Sequence, residues 1–281
     1  MKHLKVKKIM KRIILLILLI MSLSVAGCSA QNGNSTADNL EITFFKIGSA
    51  DSILLSDGSQ TVLIDTGEEE DGEEIIDYLE SERIETIDYL VITHFDKDHV
   101  GGADTVLNEV DVQNVLVPDY ETDSTDYQEF LTAMEDNNLA PTVLTKKLSF
   151  SNSSASFTIY PPELSSYESD NDYSLVVSVE HGENRFLFAG DAEAVRLEEL
   201  MNQLDGEYTL LKVPHHGRYS ENSTDFFTKV SPEYAIITSS DKNKEEVVVV
   251  SALEKLGTTV YLTREGNVQV ISDGETIQVT Q

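Results

Sequence analysis

The chain has 281 residues, 40% of them apolar, which is enough for one large domain or two modest ones with a real core. Its 50 acidic residues against 20 Lys and Arg give a formal charge of −30, a balance that repels phosphate backbones and disfavours a nucleic-acid-binding module. A single cysteine excludes an intramolecular disulfide framework.

The first element is a leader. Lys2, Lys5, Lys7, Lys8, Lys11 and Arg12 precede an apolar run, Ile13 to Val25, that closes in Ala26 and Gly27 before Cys28. The run is shorter than the roughly 20 residues a spanning helix needs, so it reads as a signal peptide over residues 1–27. Val25-Ala26-Gly27-Cys28 resembles the bacterial lipobox, which implies lipidation at Cys28 and a chain held on the extracellular face of a bacterial cytoplasmic membrane. Residues 28–39 are small and polar with no apolar period, as expected of a flexible tether. Removing the leader takes away six cations and no acids, moving the charge from −30 to −36.

Residues 40–281 are expected to form one domain. Leu40 to Ile47, Ser52 to Leu55 and Gln60 to Ile64 read as strands, the last pair joined by the turn Ser56-Asp57-Gly58-Ser59. A helix is predicted over Glu73 to Glu82, an inner strand over Ile87 to Thr93, a helix over Ala103 to Asn108 and a strand over Asn114 to Val117. The second half opens with a helix, Asp126 to Asp136, and strands at Pro141 to Thr145 and Ala155 to Tyr160. A hairpin, Ser174 to Val179 and Arg185 to Ala189, turns through His181-Gly182-Glu183-Asn184. Helix Ala192 to Leu204, strand Tyr208 to Val213, helix Thr224 to Lys229 and strand Ala235 to Thr238 follow. Glu245 to Leu256 is ambiguous, because Val247 to Val250 has strand propensity inside a helical frame. Strands Thr259 to Leu262, Val268 to Ile271 and Thr276 to Val279 finish the chain. Two halves of similar strand-then-helix order predict two sheets with helices on their outer faces.

Four histidines lie in two tight groups, His94 with His99 and His215 with His216. In HFDKDH the predicted strand ends at Thr93, and His94, Asp96, Asp98 and His99 can then turn inward around a cation, with Gly101-Gly102 allowing a sharp turn. Neutral imidazole suits zinc and other transition metals, while carboxylates add charge and orient water. Two more apolar strands end in polar ligand types, FLFA before Gly190-Asp191 and LLKV before Pro214-His215-His216-Gly217.

VLIDTG, THFDKDHVGG, NDYSLV, FLFAGD and LKVPHHG occur in the order found in the metallo-β-lactamase-fold hydrolases, and the sequence resembles within them the soluble domain of competence-type DNA uptake proteins. The resemblance covers nearly everything from Glu41 onward. It implies an α+β fold, the four-layer αβ/βα sandwich, with one or two divalent metal ions at one edge. Zinc is the expected ion, with manganese and iron as alternatives. It assigns His94 and Asp96 to one metal site, Asp98, His99 and His215 to the second, and Asp191 as the bridge. Asp65 would orient ligands by hydrogen bonding. Many relatives supply a further histidine from mid-chain, whereas this chain has only His181 there, read as a hairpin-tip residue and not a ligand. Asn171, matched in Asn-x-x-Ser, is the candidate weak oxygen ligand, which makes the first site oxygen-rich.

The expected activity is water activation by metal at a phosphoester or related ester, with Asp98 orienting the water and whichever of His215 and His216 is not bound to metal, His216 by preference, protonating the leaving group. The expected substrate is a small or cell-envelope molecule. Two other functions stand beside this. One is an extracellular nuclease of the competence type, opposed by the acidic charge and by the lack of a Lys and Arg run with interleaved aromatics, with Lys146-Lys147 and Lys242 to Lys244 as the small basic islands that would have to form its patch. The other is a non-catalytic surface binding protein that retains a metal. Arg218 stands where relatives have serine, a later Asn-Tyr-x-His-Pro type motif is missing, and so is the relatives' membrane channel, so neither their substrate nor DNA transport carries over.

Overall fold

The computed structural model describes residues 39–281; the expected signal peptide, Cys28 and the expected tether, up to residue 38, lie outside the described residues. Strands β1 (Leu40–Phe44), β2 (Ile53–Ser56) and β3 (Thr61–Ile64) form an antiparallel meander. Helix α1 (Asp71–Glu82) leads to β4 (Thr86–Ile87) and β5 (Tyr89–Val91). Helices α2 (Lys97–Val100) and α3 (Ala103–Glu109) lead to β6 (Asp111–Val112) and β7 (Val115–Pro118), and α4 (Thr125–Asp136) to β8 (Thr142–Leu144). Because each crossover is helical, β3, β5, β7 and β8 pair in parallel.

The second half follows the same plan. Strands β9 (Leu148–Ser151), β10 (Ser156–Tyr160), β11 (Val176–His181) and β12 (Asn184–Phe188) are antiparallel neighbours. Helix α5 (Ala194–Gln203), β13 (Leu210–Lys212), α6 (Ser223–Val230), β14 (Tyr234–Ile237), α7 (Val247–Lys255) and β15 (Thr259–Leu262) then extend that sheet in parallel. The chain returns to the first sheet through β16 (Val268–Ser272), which pairs with β1, and β17 (Ile277–Thr280).

The sheet orders are β17-β16-β1-β2-β3-β5-β7-β8 and β15-β14-β13-β12-β11-β10-β9, and β4 and β6 form a two-stranded ribbon beside them. Side-chain alternation sorts the core into three layers. Ile53, Leu55, Val62, Ile64, Phe186 and Phe188 pack between the sheets. Leu54 and Leu63 face the other way, onto Leu79 and Ile75 of α1 and the α3 and α4 side chains Val106 and Phe130. Leu187 packs outward with Leu197, Phe226 and Leu253 of α5, α6 and α7. The result is the expected α+β sandwich of four layers, helix, sheet, sheet, helix.

Local departures from the sequence reading have physical causes. The strand expected over Ile87 to Thr93 breaks at Asp88, whose carboxylate accepts the Thr61 N–H at 2.7 Å and whose own N–H returns to the Thr61 carbonyl. β9 was hidden because LSFS alternates serine with partly buried residues at a sheet edge. The ambiguous segment resolves as helix because Val249 and Leu253, four residues apart, are its buried face. Gly101 and Gly102 are both right-handed and make no sharp turn. They are glycines because a Cβ on Gly102 would sit 2.5 Å from the Thr66 carbonyl, and one on Gly101 would meet the backbone of Lys97 and Glu69.

The β11–β12 hairpin turns at Gly182-Glu183 only. His181 is the last residue of β11, buried, with Nδ1 2.8 Å from the Ser272 hydroxyl, which also accepts from the Asn184 amide at 2.9 Å. This docks the tip of the second sheet on the β16–β17 turn of the first. Gly182 has φ +59°, and a Cβ there would collide with the Gly274 carbonyl. Gly182→Ala is therefore expected to lower stability by about 1–3 kcal/mol in urea unfolding. An unchanged midpoint would show that this docking is loose.

Candidate metal centre

Five strands deliver polar residues to one end of the sandwich at their carboxyl ends. Asp65 follows β3, Thr93 and His94 follow β5, and Asp191 follows β12. Lys212 ends β13 with His215 and His216 just beyond, and Thr238 follows β14. Parallel strands place their carboxyl ends together, so the convergence is a consequence of topology.

Three histidine Nε2 atoms, those of His94, His99 and His216, are buried there without a hydrogen-bond partner. Their other nitrogens are all engaged. Thr93 donates its hydroxyl to Asp65 at 2.8 Å, so toward His94 Nδ1, at 3.1 Å, it can only accept. His99 Nδ1 donates to Asp65 Oδ2 at 2.8 Å. Thr238 donates its hydroxyl to Asp51 at 2.6 Å, and His216 Nδ1 donates to the Thr238 carbonyl and hydroxyl oxygens, both at 3.0 Å. Each Nδ1 therefore carries the proton, and each Nε2 turns a lone pair to a shared space.

Asp191 lies in that space, with Oδ1 3.3 Å from His99 Nε2 and Oδ2 3.2 Å from His216 Nε2. Asp98 Oδ2 is 3.5 Å from His216 Nε2. His94, His99 and Asp191 form one group whose ligand atoms lie within 4.8 Å of one another; Asp98, His99 and His216 form another. Asp51, Asp65 and His99 make a third, but both of its carboxylates already accept hydrogen bonds. Buried imidazoles with bare Nε2 atoms aimed at carboxylates fit a divalent transition metal.

The model of the Metallo-beta-lactamase superfamily matches residues 46–238. The chain belongs to this superfamily of metallo-beta-lactamase-fold hydrolases. Among curated relatives, Recombination protein 2 of Haemophilus influenzae is 28% identical over 77% of this chain, and ComE operon protein 3 of Bacillus subtilis is 27% identical over 73%. The chain spans only 26% and 29% of their respective lengths. Among solved structures, the metallo-beta-lactamase fold protein YhfI from Bacillus subtilis superposes with a TM-score of 0.57 at 9% identity, over 86% of this chain and 100% of that one, a likeness of fold.

The metallo-beta-lactamase fold binds one or two metal ions, and the expected ligands His94, Asp98, His99 and Asp191 are brought together in these groups. Asp96 caps α2 with its carbonyl and keeps its side chain 44% exposed, 3.7 Å from His94 Nε2. Asp65 orients both His99 and, through Thr93, His94. The histidine pair divides opposite to the sequence expectation. His216 enters the cluster, whereas His215, with a side chain 29% exposed, places Nδ1 3.1 Å from Glu193 and Nε2 3.5 Å from the Asn171 amide. The cause is backbone: His215, His216 and Gly217 are left-handed in succession, at φ +49°, +49° and +75°, which turns adjacent side chains apart. The Asn171 amide donates to Glu193 at 3.1 Å.

Seven further residues support the site. Asp51, Thr93, Lys212 and Thr238 fix the ligands, and Glu193 holds His215. Asp172 accepts the Glu193 and Arg196 N–H groups at the start of α5, while Ser174 accepts the Asp191 N–H at 3.0 Å. Two of them carried a signal in the sequence, Ser174 in the Asn-x-x-Ser match and Lys212 as a lysine inside the apolar run LLKV.

The electrostatics follow from crowding. Burial would push the Asp191 carboxyl up, yet His216, His99 and Lys212 outweigh it and hold it well below the usual range. Burial also opposes charge on His216, but Asp191 and Asp51 raise its pKa to about 9, so at neutral pH a metal ion gains the Nε2 lone pair by displacing a proton. His215 moves the other way, lowered chiefly by burial.

The two histidines are thereby separable. His216→Ala is expected to lose at least one equivalent of bound metal by elemental analysis, and His215→Ala to keep wild-type content. The reverse result would return the ligand role to His215.

Proposed function

We propose that this chain is a metal-dependent hydrolase that opens a phosphoester with activated water at a bacterial cell surface, where lipid on Cys28 anchors it. The observation that carries the catalytic reading is the trio of orphaned Nε2 atoms around Asp191. His94 and Asp96 would hold one ion, Asp98, His99 and His216 the other, and Asp191 would serve both through its two oxygens. A divalent ion supplies Lewis acidity there, making water nucleophilic at neutral pH and withdrawing electron density from the scissile bond. Asp98, with its side chain 26% exposed, faces both the cluster and solvent, which suits it to orient the water. His215, partly exposed and held by Glu193, takes the proton-donor place first expected for His216.

The lipobox supports the anchor, and among the described residues no helix is long and apolar enough to cross a membrane. The charge of −36 after leader removal supports a small or cell-envelope substrate over a polyanion. A second reading, cleavage of nucleic acid, is favoured by the 27–28% identity to Recombination protein 2 and ComE operon protein 3.

The test is hydrolysis of a chromogenic phosphodiester and of single-stranded DNA by the metal-loaded chain and its Asp191→Asn variant. The variant keeps the side-chain shape and is expected to lose roughly 100- to 1,000-fold in rate with its secondary structure intact. Wild-type rates at full metal occupancy would contradict the reading; a marked preference for DNA would favour the second. For the anchor, Cys28→Ser should leave the membrane fraction or persist as a precursor, and unchanged lipid labelling would refute lipidation at Cys28.

A further inference from the structure

Lys212 is fully buried at the end of β13 and closed off from solvent. In the two-residue alternation of β13 it shares the inter-sheet face with Leu210, so its stem runs between the sheets toward the metal end. Its ammonium has three protons and three acceptors. One is the Gly190 carbonyl at 3.0 Å, one is Asp191 Oδ1 at 3.4 Å, and the third is Asp51 Oδ2, in a short ion pair. The lysine thus grips the Gly190-Asp191 peptide from both sides, by the carbonyl before it and the carboxylate after it.

Asp51 comes from the first half of the chain, two residues before β2 of the other sheet. Its backbone N–H donates to the Asp98 carbonyl at 3.0 Å, its carbonyl accepts from Gly67, and its Oδ1 accepts from Thr238, the residue that fixes His216. The ligands themselves are split in the same way. His94, Asp98 and His99 come from the first half of the chain, Asp191 and His216 from the second.

We infer that Asp51 and Lys212 form a charge-neutral tie across the seam between the two halves, and that this tie positions Asp191 and His216 for metal. The inference rests on the metal-centre reading of the site. Lys212 is a positioning residue and acts through Asp191. By holding Oδ1 and the preceding carbonyl, it fixes the rotation of the carboxylate so that Oδ2 stays before His216 Nε2. Asp51 does the same for the His216 ring through Thr238.

Single substitutions mix two effects. Lys212→Met removes the grip on Asp191 but also removes a cation that repels metal, and it strands a buried carboxylate, so the variant can fail to fold. The decisive variant is therefore Asp51→Asn with Lys212→Met, which leaves the net charge of the site unchanged and removes only the tie. Zn2+ affinity is measured on the full chain by competition with a chromogenic chelator, alongside thermal melting of the metal-free protein.

The double variant is expected to fold with a melting point closer to wild type than either single variant. Its Zn2+ affinity should still be lowered 10- to 100-fold, the range for losing a partner that orients a ligand. A double variant that binds Zn2+ as tightly as wild type would overturn the inference and leave the pair a structural element of the core. Zn2+ bound tightly by wild type without any phosphoester hydrolysis would defeat the proposed activity and leave the tie standing. A wild-type chain that takes up no Zn2+ would overturn both.

Discussion

Four aspartates, Asp51, Asp65, Asp98 and Asp191, are gathered at one end of the sandwich, and their mutual repulsion governs the chemistry around them. Three of the four have side chains at most 4% exposed. Burial of so much negative charge is tolerable only with counter-charge and hydrogen bonds at short range. The three buried acids are accordingly met at short range: Asp65 by Thr93 and His99, Asp51 by Lys212 and Thr238, and Asp191 by Lys212, His99 and His216. Asp65 and Asp51 are consumed in orienting histidines, which leaves Asp191 and Asp98 with oxygens for an ion.

The fold makes this possible by repetition. Each half sets an antiparallel meander beside parallel strands, so each sheet brings its carboxyl ends to the same edge. The two orienting chains are near-copies of one another, Asp65-Thr93-His94 in the first half and Asp51-Thr238-His216 across the seam. In both, a threonine hydroxyl spends its only proton on a carboxylate and can offer just a lone pair to imidazole Nδ1, which sets the tautomer through a neutral group. The left-handed run from His215 to Gly217, at about 1–2 kcal/mol per non-glycine residue, is strain the site sustains so that one histidine faces the cluster and its neighbour the rim.

Much of this was legible in the sequence, because strands that bury both faces read as apolar runs and their abrupt polar ends mark the site. FLFA-GD and LLKV-PHHG are of that kind, and the His94 to His99 cradle follows another. What could not be read were relations set by backbone reversals and by long-range contact. Adjacent histidines are equivalent in a sequence, and only three successive left-handed residues decide between them. Asp51 lies 187 positions from Thr238, and its surroundings, SADSILL, read as an ordinary strand entrance. Asp172 in NDYS drew no reading at all, because its role, accepting the Glu193 and Arg196 N–H groups at the start of α5, depends on residues more than 20 positions away.

The central claim is that Nε2 of His94, His99 and His216 and the Asp191 carboxylate enclose divalent metal. An anomalous difference map from crystals of the zinc-loaded chain, recorded at the zinc edge, tests it most directly. The account predicts one or two peaks between these groups, about 2.0–2.1 Å from the Nε2 atoms, with His215 uncoordinated. A map with no peak there, or with its peak between His215 and Glu193, would contradict it.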